Sequence, residues 1–212
     1  MDKKQIAGTN KQAAINSETT EVELRPFPPF LTARATVLMM GSFPPAADKR
    51  AMSFHYPNFT NDMWRVYGLV FFDDADYFRL GQEKAFDADK IKAFLRERGI
   101  ASCPSVKRAV REHNNASDKF LKVIETVDLK ELLDKLPLCR YICTTGGKAS
   151  DIVLSLTDNP PKTPKTNETI QIAVGGRPIS FTRLPSTSRA YPLKLVKKAE
   201  AYKDFFRLAH LI

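Results

Sequence analysis

The feature that most constrains the fold is a short apolar run that ends abruptly at a glycine. Residues 35–40 read Ala-Thr-Val-Leu-Met-Met, and Gly41 follows at once. A continuous apolar run of this length is typical of a strand that is buried on both faces of a parallel sheet. The loop that begins at Gly41 then lies at the carboxyl end of this strand, which is where open α/β sheets bind their ligands.

A second strand and glycine turn are predicted further along the chain. Residues 140–144 predict another core strand, and a Gly-Gly pair separates it from a helix. Two more strands, at residues 169–174 and 179–184, are predicted on either side of a turn at residues 175–178. Three loops rich in Gly, Ser and Thr each follow a predicted strand, and we expect them to form one pocket: residues 41–45, 145–148 and 185–189.

Apolar spacing and capping residues predict the helices. Residues 63–71 carry apolar side chains at helical spacing. Asp87 and Asp128 can each cap the helix that follows, and Gly99 can end the first of these two. The last helix has an apolar stripe that includes Tyr202, and its lysines are predicted to lie mostly off that stripe: Lys194, Lys197, Lys198 and Lys203.

The length and hydrophobic content favour one domain. With 212 residues, 43% of them hydrophobic, the chain can bury one sizeable core, and we predict a single domain over residues 23–212. Residues 1–22 are polar and predict a mobile N-terminal arm. The apolar stretches are shorter than the roughly 20 residues that cross a bilayer, and no secretory signal is evident. A cytoplasmic location is therefore expected.

The charge of the chain favours a polyanionic partner. There are 33 Lys and Arg residues against 24 Asp and Glu residues, so the net charge is +9. A surplus of this size makes nucleic acid a candidate partner. The alternative is that a lysine-rich surface only aids solubility, so charge by itself favours nucleic acid modestly.

Cysteine count and motif content argue against cofactors. The three cysteines suit buried thiols in a reducing compartment, and with three histidines they give little support for a metal site. The sequence has neither a GxxxxGK[ST] phosphate loop nor GxGxxG, so a nucleotide cofactor has little support. The absence of GxSxG lowers the probability of an acyl hydrolase. No cofactor and no metal are expected.

Three segments, in order, carry a resemblance to a known family. Residues 38–45 read Leu-Met-Met-Gly-Ser-Phe-Pro-Pro; Phe-His-Tyr at 54–56 precedes Asn-Asp-Met-Trp at 61–64; and residues 184–188 read Leu-Pro-Ser-Thr-Ser. They resemble the hypoxanthine-DNA glycosylase branch of the uracil-DNA glycosylase superfamily, whose pattern is GSFP, an aromatic segment leading to NxFW, and LPSTSPA. The resemblance covers roughly residues 24 to 207.

The resemblance implies both a fold and an activity. The fold is a three-layer α/β/α sandwich around a short, mainly parallel sheet. The activity is hydrolysis of the N-glycosidic bond of a deaminated base in DNA, by extrusion of the nucleotide and attack of water, as part of base excision repair. We expect a monomer whose partner is DNA with a damaged base. No lysine lies within the matched motifs, so a lyase step is not expected.

The leading catalytic candidate is Asn61. It matches the asparagine of NxFW, which the family would use to orient the attacking water. An amide is not a strong base, so most of the rate would come from donors that stabilise the departing base, such as the backbone amides at residues 42–43. The structural alternative is that Asn61 only caps the helix that contains Trp64.

The remaining candidates surround the base and the phosphates. By resemblance, Ser42 and Phe43 border the base, Phe54 stacks on it beside Tyr56, and the second loop contributes Thr145 and Gly146. The last motif would contact the phosphates that flank the extruded nucleotide, through Ser186, Thr187, Ser188 and Arg189.

Three positions depart from patterns in the superfamily. Phe43 stands where the uracil-removing branches have Asp or Asn, although the hypoxanthine branch also has Phe there. Thr145 replaces the usual Asn of the second loop, and Arg189 replaces a proline. Thr145 and Arg189 favour one alternative to the glycosylase, a catalytically silent protein that binds DNA or damage. A second alternative is a hydrolase of free nucleosides.

Overall fold

The computed structural model describes residues 21–112 and 118–212. A mobile arm was predicted for residues 1–22. Its first 20 residues lie outside the described part of the chain, and Val22 begins a strand. The strands are β1 Val22–Leu24, β2 Val37–Met40, β3 Ile100–Ser102, β4 Val106–Arg111, β5 Leu121–Thr126, β6 Tyr141–Thr145, β7 Thr169–Val174 and β8 Arg177–Leu184. The helices are α1 Met63–Phe72, α2 Ala88–Arg98, α3 Leu129–Asp134, α4 Gly147–Ser155 and α5 Leu195–Leu208.

The central sheet is mainly parallel, as predicted. Its strand order is β3-β2-β6-β8-β7, and only the edge strand β7 runs antiparallel to its neighbour. The four side chains of β2 are completely buried, which agrees with a strand covered on both faces. Met40 pairs with Thr144 and Thr145 pairs with Leu184, so β2, β6 and β8 end at the same edge of the sheet.

Helices cover both faces of this sheet. Val37 and Met39 point into a core formed with α1, α2 and α5, whereas Leu38 and Met40 point into a second core formed with α3 and α4. Alternate residues of one strand therefore serve opposite helical layers. This arrangement confirms the three-layer α/β/α sandwich.

The predicted caps are present. The Asp87 carboxylate accepts hydrogen bonds from the Asp89 and Lys90 amides at the start of α2, and Gly99 ends that helix with φ of 66°. Asp128 accepts a hydrogen bond from the Glu131 amide at the start of α3.

The turn between β7 and β8 is shorter than predicted. Its two glycines both have positive φ, and pairing resumes directly after them at residue 177.

A second sheet was not predicted. β1, β4 and β5 form an antiparallel sheet in the order β1-β4-β5. Its register shifts twice between Val106 and Ala109, so the buried positions of β4 do not alternate regularly. Because period-two alternation is the sequence signal of a half-buried strand, this irregularity hides β4. Among the residues that the structure describes, no helix is long and apolar enough to span a membrane.

Candidate active site

A cavity of about 600 Å³ lies at the carboxyl edge of the parallel strands. All three predicted loops contribute to its lining, because β2, β6 and β8 end side by side. Most of the candidate residues lie together in that lining: Ser42, Phe43, Tyr56, Asn61, Thr145, Ser186, Thr187 and Ser188.

Phe54 does not line the cavity. Its side chain is 5% exposed, stacks on the His55 ring and meets the Phe30 ring edge-on at 5.3 Å. A phenylalanine enclosed in this way contributes to the core, so it is not placed to stack on a base. The aromatic ring in the lining is that of Tyr56, two residues later.

Gly146 and Arg189 also lie outside the lining. Gly146 precedes α4 with φ of 101°, and a Cβ there would come within 3.4 Å of the Ser186 Cβ. Gly146 thus allows the second and last loops to approach each other. Arg189 points from the last loop toward Asp62, with 3.3 Å between its Nε and Oδ1 of the carboxylate.

Asn61 lines the cavity and also accepts a hydrogen bond from the first residue of a helix. Its Oδ1 accepts a hydrogen bond of 2.9 Å from the Met63 amide, at the start of α1. The N-cap of α1 is Asp62, which makes no side-chain cap bond, so Asn61 bonds the first helical amide from one position before the cap. This contact occupies one lone pair of the oxygen, and an amide oxygen has two. It fixes the side chain in place and is compatible with a second contact in the cavity.

A buried ion pair ties the first turn of α1 to the last loop. Asp62, 7% exposed, pairs with Lys198 at 2.9 Å, and the Lys198 ammonium also donates to the Ser188 carbonyl at 2.9 Å. The Asp62 amide donates to the Thr187 carbonyl. Three contacts therefore hold Asn61 and the Ser-Thr-Ser loop in one arrangement.

The prediction that Lys198 lies off the buried face of the last helix is wrong. The residue is 1% exposed, because Asp62 and the Ser188 carbonyl satisfy its ammonium group. A signal was present in the sequence. Lys198 follows Leu195 by three positions and precedes Tyr202 by four, so it shares a helical face with both.

Tyr56 and Thr145 form a hydroxyl pair in the cavity. The two hydroxyl oxygens are 3.2 Å apart, and either can be the donor. Tyr56 has φ of 53°, in the left-handed region. A Cβ on Gly41 would lie 2.8 Å from the tyrosine hydroxyl, so only glycine permits this approach. Thr145 thus joins a hydroxyl pair where the resembling family has an amide.

The smaller sheet supports the first loop. Arg111, in β4, donates to the Pro44 carbonyl and lies over the Phe43 ring at 5.3 Å. Glu23 of β1 forms an ion pair with Arg111 at 2.8 Å. Phe43 also packs against the apolar cluster between this sheet and α4. These contacts explain how a sheet outside the sandwich contributes to the site.

His55 and Ser102 are buried residues of the lining that were not predicted as site residues. His55 Nε2 lies 3.0 Å from the Pro28 carbonyl, which can only accept, so this nitrogen carries a hydrogen. Burial lowers the pKa of His55 to about 4, which makes the ring neutral at pH 7. His55 Nδ1 is then an acceptor, and the Ser102 hydroxyl donates to it at 2.7 Å.

The lowered pKa of His55 predicts a loss of stability in acid. The unfolded chain, with a pKa near 6.5, takes up the proton more readily than the folded one, with a pKa of about 4. The contribution of His55 to the free energy of unfolding should therefore be fully present above pH 6.5. It should decrease as the pH falls from 6.5 to 4 and stay constant below pH 4, with a total loss of about 3 kcal/mol. Urea unfolding of the parent and His55→Phe across this range measures the difference. Parallel pH curves for the two proteins would contradict the prediction.

The described part of the chain shows neither a metal site nor a reactive thiol. Within residues 21–112 and 118–212, no three His, Cys, Asp or Glu side chains cluster in a way that could hold a metal ion. The cysteines are buried, as predicted. Burial raises the pKa of Cys103, which lines the cavity, to about 11, so the thiol is protonated at neutral pH.

The fold and the position of the cavity define the class of protein. It is an α/β/α sandwich with its candidate site at the carboxyl edge of a mainly parallel sheet. The chain is similar to the solution NMR structure of a Methanosarcina acetivorans protein provisionally assigned as a uracil DNA glycosylase, with a TM-score of 0.60 and 20% sequence identity. The match covers 90% of this chain and 99% of that one, and it establishes a shared fold. No protein-family model matches the sequence, and no curated protein matches it.

Proposed function

We propose that the chain is a monofunctional DNA glycosylase that hydrolyses the N-glycosidic bond of a deaminated base. The observation that carries the proposal is that one cavity gathers Asn61, the Tyr56–Thr145 pair and the loop of residues 186–188. These are the polar groups that would be needed beside the glycosidic bond, the base and the backbone. The shared fold and the net charge of +9 also support it.

The base would enter the cavity by leaving the helical stack. Extrusion costs a few kcal/mol, and contacts in the cavity must offset it. The ring of Tyr56 offers an aromatic surface, and stacking on such a surface is worth roughly 1–3 kcal/mol per base. Hydroxyl groups of the 186–188 loop would hold the flanking phosphates, together with the Arg189 guanidinium.

Bond cleavage would rest on Asn61 and on backbone donors. The second lone pair of the Asn61 oxygen would orient a water molecule toward the sugar carbon. The carbonyls of Gly41 and Ser42 accept hydrogen bonds from the Ser105 and Val106 amides. Because each peptide is trans, the amides that follow these carbonyls point away from β4. Those amides would stabilise negative charge on the departing base.

A base-release assay tests the proposal. Labelled oligonucleotides that contain hypoxanthine, uracil or xanthine are incubated with the full chain, and free base is measured. We expect release of at least one base without strand cleavage, because Lys198 is ion-paired and lies outside the cavity lining. DNA binding that weakens with salt but gives no release would favour the silent binding protein. Thr145→Asn would then restore activity if Thr145 is the cause.

A further inference from the structure

We infer that Ser102, held as a hydrogen-bond acceptor toward the cavity by His55, selects bases that present a ring N–H. The inference rests on the proposed function and names the chemical feature that the site would recognise. Ser102 ends β3 and lines the cavity, beside the carboxyl ends of the other parallel strands.

The direction of the Ser102 hydroxyl follows from two consecutive hydrogen bonds that join the Pro28 carbonyl, the His55 ring and the hydroxyl itself. The Pro28 carbonyl requires a hydrogen on His55 Nε2, and a neutral ring then has a lone pair on Nδ1. The Ser102 hydroxyl has one hydrogen, and the contact of 2.7 Å commits it to that lone pair. The serine oxygen therefore offers only lone pairs to a ligand. His55 is 2% exposed and Ser102 is 1% exposed, so bulk water does not compete for this contact.

Deamination changes the one feature that such an acceptor can distinguish. Adenine and cytosine each have a ring nitrogen with a lone pair beside their amino group. Replacement of the amino group by a carbonyl moves a hydrogen to that ring nitrogen, so hypoxanthine and uracil present an N–H at the same position. Ser102 can accept from this N–H. Undamaged adenine or cytosine would instead place two lone pairs against each other in a buried site, where an unmatched polar group is unfavourable. Guanine and thymine present a ring N–H themselves, so this acceptor separates hypoxanthine from adenine and uracil from cytosine only.

The surrounding contacts hold Ser102 and the His55 ring in fixed positions. The Ser102 backbone exchanges two hydrogen bonds with Phe30, at 2.8 and 2.9 Å. The Phe54 ring stacks on His55 with 4.8 Å between ring centroids. Phe54, which does not itself reach the cavity, thus holds the ring that sets the direction of the Ser102 hydroxyl.

Two variants and one matched control test the inference. Ser102→Ala removes the acceptor, whereas His55→Phe keeps the serine but frees its hydrogen to turn toward the cavity. The control is Ser105→Ala, because Ser105 is also buried but does not line the cavity. Release of hypoxanthine and of adenine from otherwise identical oligonucleotides is measured under single-turnover conditions. The leaving-group chemistry of each base is the same in every variant, so a change in the ratio of the two rates reports recognition.

We expect the hypoxanthine-to-adenine ratio to fall roughly tenfold or more in Ser102→Ala and in His55→Phe, and to stay unchanged in Ser105→Ala. Thermal melting identifies any variant that fails to fold, and either of the two variants suffices. An unchanged ratio in a folded variant overturns the inference while leaving the glycosylase intact. If the parent releases neither hypoxanthine nor any other base, the proposed function is overturned, and the inference falls with it.

Discussion

Replacing Asn61 with alanine is expected to slow base release about a hundredfold or more, with DNA binding retained. The amide would hold the attacking water, and loss of such positioning typically costs this much. Its Oδ1 is already fixed by the Met63 amide at 2.9 Å, so little motion precedes the contact with water. Single-turnover release and equilibrium binding to the same oligonucleotide measure the two effects separately.

Asn58→Ala is the matched control for this variant. Asn58 also lines the cavity, and its Oδ1 accepts a backbone hydrogen bond, from the Thr60 amide at 2.8 Å. Each substitution removes one hydrogen bond from a backbone amide, worth about 1 kcal/mol of stability, and Asn58→Ala also removes the bond from the Thr60 hydroxyl. Equal slowing in the two variants would mean that Asn61 acts only through its local hydrogen bond before α1. Slowing confined to Asn61→Ala would support its catalytic role.

The second large effect is expected from Asp62→Ala, which should lower the free energy of unfolding by about 3–5 kcal/mol. The substitution leaves the Lys198 ammonium, 1% exposed, with only the Ser188 carbonyl as a partner. An uncompensated buried charge is far more costly than a broken surface pair. Urea denaturation measures the change.

Asp134→Ala provides the comparison. Asp134 pairs with Lys130 at 2.8 Å, but both side chains are more than 60% exposed. Removing that carboxylate should change stability by less than about 1 kcal/mol. The double variant Asp62→Asn with Lys198→Met should recover most of the loss, because it removes both buried charges together. If Asp62→Ala and Asp134→Ala lose similar amounts, the buried pair contributes no more than an exposed one.

The Asp62–Lys198 pair also bears on the proposed contact with DNA. Because Lys198 neutralises Asp62, the Arg189 guanidinium, whose side chain is 54% exposed, retains a positive charge that a phosphate can use. The arginine that departs from the resembling family's proline is therefore compatible with a role at the DNA backbone. The same reasoning weakens the case that Arg189 marks a lost activity.

Local chemistry explains what the sequence determined by itself. The apolar run of β2, the caps at Asp87 and Asp128 and the glycine that ends α2 each depend on neighbouring residues, and all were predicted correctly. Because the carboxyl ends of parallel strands lie at the same edge of a sheet, the sequence predicted that the three loops lie together, and all three contribute to one cavity. The resemblance to the glycosylase family, and not this ordering, placed Asn61 beside that pocket.

Only the tertiary structure decided which side chains meet across long sequence distances. His55 contacts Ser102 forty-seven positions away, and Lys198 contacts Asp62 across 136 positions. The family resemblance assigned Phe54 to the base, and helical spacing assigned Lys198 to the surface. Neither kind of pattern can show that an aromatic ring is enclosed in the core or that a buried carboxylate will pair with an ammonium group. Burial beside a specific partner depends on how the whole chain packs. Packing therefore decided the buried contacts at the site, His55 with Ser102 and Lys198 with Asp62.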